Sequence, residues 1–292
     1  MKLMIKTVKQ YTKKYLQNFL MLFMNLIVAT KIGSRVLDQI LRISMERTKA
    51  VTHESTSLIL SVPNSINRFR VDSFSSKEPE TLEWIDSIPK GSVLWDIGAN
   101  IGLYSCYAAK SRNCQVFAFE PSVFNLELLA RNIFLNNLVN QIVIIPIPLS
   151  DSRKISTLNM TGTDWGGALS TFGETYGDDG KEMVKLFEFS STGISLDEVS
   201  SLLNVPQPEY IKMDVDGLEH MILSGGKSVL KEVFGLSIEV NEDFAAQVDG
   251  VNRMCIEAGL VFCGKRHSPM FDDNLRYGRT YNQIWQRRCK VG

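Results

Sequence analysis

The chain has 292 residues, enough to bury a sizeable core in one large α/β domain with an appendage. Its 32 Lys+Arg residues balance 32 Asp+Glu residues, which removes the electrostatic argument for a nucleic-acid partner. Cys106, Cys114, Cys255, Cys263 and Cys289 are odd in number and never form C-x-x-C, so the composition points to reduced thiols in a cytosolic protein and away from a zinc site.

Residues 1–50 read as a leader distinct from the rest. Lys2, Lys6, Lys9, Lys13, Lys14, Lys31 and Arg35 all precede the first acidic residue, Asp38, and residues 19–29 are apolar apart from Asn25. As a helix that run spans roughly 17 Å, well short of the ~30 Å hydrocarbon core, which argues against a transmembrane segment. Three readings stay open, in this order: a helix docked on the protein itself, a helix lying in the membrane interface, and a secretion signal lacking a clear cleavage site.

Residues 51–292 read as one domain. Residues 57–74 alternate loosely around a Pro63-Asn64 turn and predict one or two short strands, and 80–88 predict a short helix closed by Pro89-Lys90-Gly91. A regular alternation follows: strand 93–97, helix 103–111, strand 115–119, helix 122–136 and a third strand over 142–149. Pro146 and Pro148 remove ladder donors and predict an edge position for that strand. Residues 151–191, rich in Gly, Thr and Ser, predict an insertion of little periodicity that could cover an acceptor as a lid. Trp165, Phe172 and Tyr176 within it suit either a satellite core or a stacking platform. Ser195-Leu196-Asp197-Glu198 is a capping box that opens a short helix. Strand 210–215, helix 218–230, strand 234–240 and helix 244–259 resume the rhythm, and 260–263 with 282–287 predict a terminal antiparallel hairpin. The expected fold class is α/β, with a mostly parallel, doubly wound sheet behind an N-terminal helical extension.

Val93-Leu94-Trp95-Asp96-Ile97-Gly98-Ala99-Asn100-Ile101-Gly102 is the most informative stretch. A strand running through a glycine turn into a helix brings backbone N–H groups to a strand's carboxyl end, where a ligand can approach closely. Asn100 and Leu103 stand where a dinucleotide fingerprint wants glycine, which argues against a nicotinamide oxidoreductase. An acidic Asp96 ahead of G-x-N-x-G suits a cationic ligand, and S-adenosylmethionine (SAM), with ammonium and sulfonium groups, is one. Glu120 ends the second strand about 20 residues further on, where it can accept hydrogen bonds from both ribose hydroxyls. Ser150 and Asp151 end the third, where a polar side chain can meet an adenine amino group. The cofactor-binding candidates are therefore Asp96, Gly98, Asn100, Gly102, Glu120, Ser150 and Asp151, although Asp96 also suits a helix cap and Asp151 an ordinary turn. At the end of the fourth strand, Lys212, Asp214 and Asp216 share one face.

With Glu78-Pro79-Glu80, Phe119-Glu120-Pro121, Asn132…Asn136, Ile211-Lys212-Met213-Asp214-Val215-Asp216-Gly217-Leu218-Glu219 and Ser237-Ile238-Glu239-Val240 added, the chain resembles the FkbM family of SAM-dependent methyltransferases from Glu78 to about Val240, with a weaker tail to about Arg287. The family usually carries Glu where Asp216 stands, so that carboxylate reaches one methylene less far here. The resemblance implies a Rossmann-like class I methyltransferase fold, SAM as cofactor, and methyl transfer to oxygen, commonly on sugars or polyketide-type hydroxyls. A hydroxyl acceptor must lose its proton, which calls for a base near the methyl group. Asp214 and Asp216 are best placed, followed by Glu239 and His220. A magnesium ion on Asp214, Asp216 and Asn241 ranks below that reading, and no metal site is assigned. Lys212 reads as a structural ion-pair partner of Asp214 or Glu219. His53, His220 and His267 are too widely separated for metal-ligand spacing, and Lys265-Arg266-His267 with Arg276 and Arg279 reads as a solvated face.

Rival functions are methylation of a nitrogen acceptor and a non-catalytic SAM-binding module. A nucleic-acid methyltransferase would want a proline-aromatic motif where Asp214-Val215-Asp216-Gly217 stands. The expected partner is a small-molecule, sugar or lipid-linked glycan acceptor, with peripheral membrane contact through the N-terminal helix. A cytoplasmic location follows from the cytosolic supply of SAM.

Overall fold

The computed structural model describes residues 15–16, 18–272 and 277–287; Lys2, Lys6, Lys9, Lys13, Lys14, Arg276 and Cys289 lie outside the described residues. The chain divides into two units, Met1–Arg47 and Thr48–Gly292. In the first, helices α1 (Asn18–Val28) and α2 (Lys31–Glu46) meet at 114°. Thr30 Oγ1 accepts a hydrogen bond from Gly33 N at 2.9 Å and caps α2. A Cβ at Gly33 would lie 1.9 Å from the Ile27 carbonyl oxygen, so the tight bend requires glycine. Among the described residues no single helix is long and apolar enough to cross a membrane; α1 and α2 meet that measure only as a bent pair.

The second unit opens with a hairpin, β1 (Thr48–His53) and β2 (Thr56–Ser61). Three helices follow: α3 (Ser65–Asp72), α4 (Phe74–Lys77) and α5 (Pro79–Ser87). The loose alternation over 57–74 thus gives one strand and then a helix. Asn64 Oδ1 accepts from Asn67 N at 2.9 Å, so Pro63-Asn64 is a helix cap and not a hairpin turn.

Seven strands form the central sheet. In chain order they are β3 (Val93–Ile97), β4 (Gln115–Phe119), β5 (Ile142–Ile145), β10 (Tyr210–Met213), β11 (Gly235–Asn241), β12 (Leu260–Arg266) and β13 (Thr280–Arg287), and their spatial order is β12-β13-β11-β10-β3-β4-β5. Five of them run parallel, while β13 is antiparallel to both β11 and β12, which is the terminal hairpin expected from sequence. The sheet has the Rossmann-like arrangement, with α6 (Leu103–Arg112) and α7 (Val123–Leu135) in the first two crossovers.

Alternation along each strand sends side chains to two cores. Leu94, Val116 and Ala118 pack with Leu58, Leu60, Leu82, Ile85, Cys106 and Leu129 on one face. Trp95, Ile97, Phe117, Phe119, Ile211 and Ile238 pack on the other with residues of α8 (Leu196–Leu203), α9 (Glu219–Ser224), α10 (Lys227–Glu232) and α11 (Ala245–Glu257). A strand buried on both faces reads as a continuous apolar run, which is why 93–97 and 115–119 are so plain in the sequence.

Three expectations need correction. The third strand stops at Ile145, because Pro146 has no N–H for the ladder; it does lie at the sheet edge. Leu149–Ser150 forms a separate strand, β6, in a second sheet. The insertion is not aperiodic: β7 (Lys154–Met160), β8 (Ser170–Phe172) and β9 (Phe187–Ser195) join β6 in the order β6-β9-β7-β8. Helix 218–230 is broken into α9 and α10 at Gly225-Gly226, where added Cβ atoms would meet the Asp151 carbonyl oxygen and Leu196 Cδ1 at 2.6 Å each.

Candidate active site

One cavity of about 380 Å³ opens at the carboxyl ends of β3, β4, β10 and β11, and each strand delivers polar groups to it. From β3 come Gly98 and Asn100, from β4 Glu120, from β10 Lys212, Asp214 and Asp216, and from β11 Glu239. Apolar wall is supplied by Phe119, Ile147, Pro148, Leu149, Leu158, Phe172, Leu218 and Ile222. This is the crevice outside the strand ends where open α/β sheets bind ligands.

The glycine turn is built for close packing. Gly98 has φ +81°, and a Cβ on it would lie 1.8 Å from the Asp214 carbonyl oxygen, so β3 and β10 can approach here only with glycine. The turn's donors are consumed within the fold. Gly98 N and Ala99 N both donate to the Phe119 carbonyl, Asn100 N donates to Glu120, and Gly102 N to the Ala99 carbonyl. A phosphate-binding loop would leave such groups free, so this one does not resemble a pyrophosphate cradle. Gly102 lies outside the cavity lining; a Cβ there would meet Leu129 Cδ1 at 2.4 Å, so its role is helix packing.

Glu120 is 4% exposed and accepts from Asn100 N at 2.8 Å and Ser122 N at 2.7 Å. Burial pushes its carboxyl up to about 7, against the pull of those N–H groups and the Asn125 side chain.

Asp96 is differently placed. Its carboxylate is buried, accepts a hydrogen bond from Ser105 Oγ of α6, and lies 3.6 Å from Lys212 Nζ. Asp96 and Lys212 are register partners across β3 and β10, so the ion pair follows from the strand alignment. Asp96 does not itself line the cavity. Ser150 and Asp151 also lie outside the lining: Ser150 Oγ donates to Asp151 Oδ1 at 2.9 Å, and Asp151 pairs with Lys154 at 2.8 Å. The wall there is formed by Ile147, Pro148 and Leu149, because the chain turns into the second sheet after Pro146.

The charged strand end is a linked cluster. Lys212 Nζ lies 3.4 Å from Asp214 Oδ2 and 3.4 Å from the Gly98 carbonyl oxygen, and 5.4 Å from the centroid of the Tyr104 ring. Burial alone would raise the Asp214 carboxyl, but the Lys212 and Lys77 ammonium groups, with hydrogen bonds from Lys212 and Glu239, outweigh it and hold the group below its ordinary value. Glu239 goes the opposite way: burial and then the Asp214 charge push it well above the carboxylate range. The Asp214 and Glu239 carboxyls are therefore pushed in opposite directions.

Asp216, with φ +58°, turns its Oδ2 toward the insertion, where it accepts from Leu169 N at 2.7 Å and Ser170 N at 3.2 Å. Burial followed by the Asp214 charge raises it to about 6. Behind the turn, Glu219 accepts from Val215 N at 2.9 Å and from Gln247 Nε2 at 2.5 Å. Asn241 Oδ1 accepts from Asp243 N at 3.0 Å. Among the described residues no group of three His, Cys, Asp or Glu is placed to hold a metal. His220 lies outside the cavity, edge-on to Phe244 at 5.5 Å between ring centroids.

The single-sequence view misses the residues that reach the cavity from outside the βαβ core. Arg70, Phe74, Lys77 and Glu78 come from α3, α4 and the residue after them, Tyr104 from α6, and His267 from the segment after β12. Only Glu78-Pro79-Glu80 carried a signal. His267, expected at the surface or locally hydrogen-bonded, bonds to Asp272 Oδ1 at 3.0 Å and stacks on Tyr281 at 4.4 Å between ring centroids. Lys265, Arg266 and Arg279 pair with Glu242, Glu83 and Asp243, as a solvated face would.

The donor chemistry fits SAM: a buried carboxylate beside an apolar wall for a nucleoside, and an acidic strand end for a cationic centre. The chain is also similar to known methyltransferases. The Haloferax volcanii hexuronic acid methyltransferase AglP is 28% identical over 162 residues, 54% of this chain and 59% of that protein. Among solved structures, methyltransferase FkbM from Methylobacillus flagellatus has 15% identity and a TM-score of 0.49 over 76% of this chain and 52% of that one. Precorrin-6y C5,15-methyltransferase from Geobacter metallireducens has 11% identity and a TM-score of 0.42, over 72% and 87%. The family described as the methyltransferase FkbM domain matches residues 96–264, more than half of the chain, and the chain belongs to that family.

Proposed function

We propose that this chain is a SAM-dependent O-methyltransferase acting on a hydroxyl of a small molecule or glycan. The observation that carries the reading is the pairing, in one cavity, of the buried Glu120 carboxylate with Asp214 and its two lysines. Bound SAM supplies an electrophilic methyl group on a sulfonium. Glu120 would receive the ribose hydroxyls, Ile147, Pro148 and Leu149 would face the adenine, and Gly98 and Asn100 would shape the floor. Asp96 supports this floor from below by fixing Lys212.

Asp214 would take the proton of the acceptor hydroxyl. Lys212 and Lys77 hold its carboxyl below the ordinary value, and Glu239 shares a hydrogen bond with it. Lys212 is buried, while the Asp214 side chain keeps 27% of its exposure and so stays reachable from the cavity. A sugar acceptor is supported by the hexuronic acid methyltransferase relative, which this chain matches over only 59% of its length.

The test combines SAM calorimetry with a mass-spectrometric screen of uronic-acid and neutral glycans using labelled SAM. Asp214→Asn should leave the SAM Kd within about threefold and reduce turnover by about 10²–10⁴, the usual contribution of a positioned base. Turnover at the wild-type level would remove Asp214 from the mechanism, and no SAM binding by the wild type would remove the cofactor.

A further inference from the structure

Residues 164–170 of the insertion cross the cavity as a strap whose backbone is held by side chains from elsewhere. Asn64 and Asn67 donate to the Trp165 carbonyl at 2.9 and 2.7 Å. Arg70 Nε and Nη2 donate to the Gly166 carbonyl at 3.0 and 2.8 Å. Asn100 and Asn125 donate to the Gly167 carbonyl at 2.8 and 3.2 Å, and Gly166 N donates back to Asn125 at 3.1 Å. Asp216 closes the row with Leu169 N and Ser170 N. Gly167, Ala168, Leu169 and Ser170 then form part of the cavity wall.

The docked conformation is imposed on the strap. Leu169 has φ +64°, a left-handed conformation that costs a non-glycine residue roughly 1–2 kcal/mol. Gly166 has φ +79°, and a Cβ on it would meet Asn67 Oδ1 at 2.2 Å. Nine side-chain hydrogen bonds of about 1 kcal/mol each hold the strained segment docked, so removing a partner shifts the balance toward a released state. The cavity it encloses, about 380 Å³, lies near the lower end of the ~300–1,000 Å³ typical of small-molecule sites and leaves little room for a sugar beside a nucleoside.

We propose that residues 164–170 are a gate on the methyl-donor cavity and that Asp216 is its latch, a positioning residue and not the base. The proposal rests on the reading that this cavity holds SAM. Asn100 and Asp216 both belong to the donor side of the site, so docking of the strap and occupancy of the site report on each other.

The experiment uses the full chain. SAM dissociation is followed by stopped-flow tryptophan fluorescence, with Trp165 in the strap, and hydrogen exchange is read at 165–170. Asp216→Ala removes the latch, and Gly166→Ala blocks docking at a residue that does not line the cavity. Both should raise the SAM dissociation rate at least tenfold and deprotect the amides of Leu169 and Ser170, with Tm within a few degrees of wild type. Faster exchange with an unchanged dissociation rate in Gly166→Ala would overturn the gate. A changed dissociation rate in Asp216→Ala without faster exchange would make Asp216 a direct donor contact and overturn the latch. If the wild type exchanges normally but binds no SAM, the cofactor reading fails first and the gate with it.

Discussion

Glu120 and Asp96 stand on neighbouring strand tips with the same side-chain charge, yet their surroundings give them different roles. Asp96 is matched by Lys212 and Ser105, so its charge is spent inside the fold. Glu120 faces the cavity among N–H groups, one carboxamide and the Asp216 charge, and burial lifts it to about 7. A ribose hydroxyl donates to the ionised form, so binding must expel the proton from a carboxyl that is largely protonated below that value. SAM affinity should therefore rise with pH through 7 and level off above it, with binding at pH 6 about tenfold weaker than at pH 8. Calorimetry of wild type and Glu120→Gln checks this: the variant should bind at least tenfold more weakly at pH 8 and lose the slope. The ligand-free protein should show the opposite trend in stability. A carboxyl raised on folding contributes stability below its unfolded pKa, and that contribution is lost as pH rises through 7; Glu219, also raised to about 7 by burial, adds to it.

Helix α3 shows how one cap serves two purposes. Asn64 satisfies an orphan N–H of α3 and also holds the Trp165 carbonyl of the strap. Asn64→Ala should cost about 1 kcal/mol through the lost cap, a fall in Tm of roughly 2–4 °C for a unit of this size by thermal denaturation. At this scale the sequence was legible where an element carries its own signal. The strands 93–97 and 115–119 and the helix 122–136 are apolar runs or periodic faces between clear breakers. Residues 65–72 were not legible, because mean helix periodicity is weak over eight residues and Asn64 reads equally as turn or cap. Residues 154–160 and 187–195 were not legible either, since their polar faces pair with each other and hide the alternation.

For the molecule as a whole, the two units carry different chemistry. The leader combines a basic flank with an apolar run too short to cross a bilayer as one helix, and its described part folds as two helices at 114°. Such a segment suits adsorption to an anionic lipid surface, where each Lys or Arg contributes about 1 kcal/mol. A chain starting at Thr48 should retain SAM binding and lose flotation with vesicles containing anionic lipid, which the full chain should show, and more weakly in high salt. Equal flotation of both would place the lipid contact elsewhere.

The sequence by itself determined the α/β class, the mostly parallel sheet, the edge position of the third strand, the terminal hairpin and the family, because these follow from local periodicity, turn chemistry and short motifs. It also singled out Glu120, Asp214 and Glu239, which the fold gathers in one cavity. Only the tertiary structure decided that Asp96 pairs inward, that Ser150 and Asp151 turn away after Pro146, and that Asp216 binds the insertion. Those outcomes depend on which strand lies beside which and on partners as distant in sequence as Asn64 and Trp165, and contacts of that kind leave no local pattern to read.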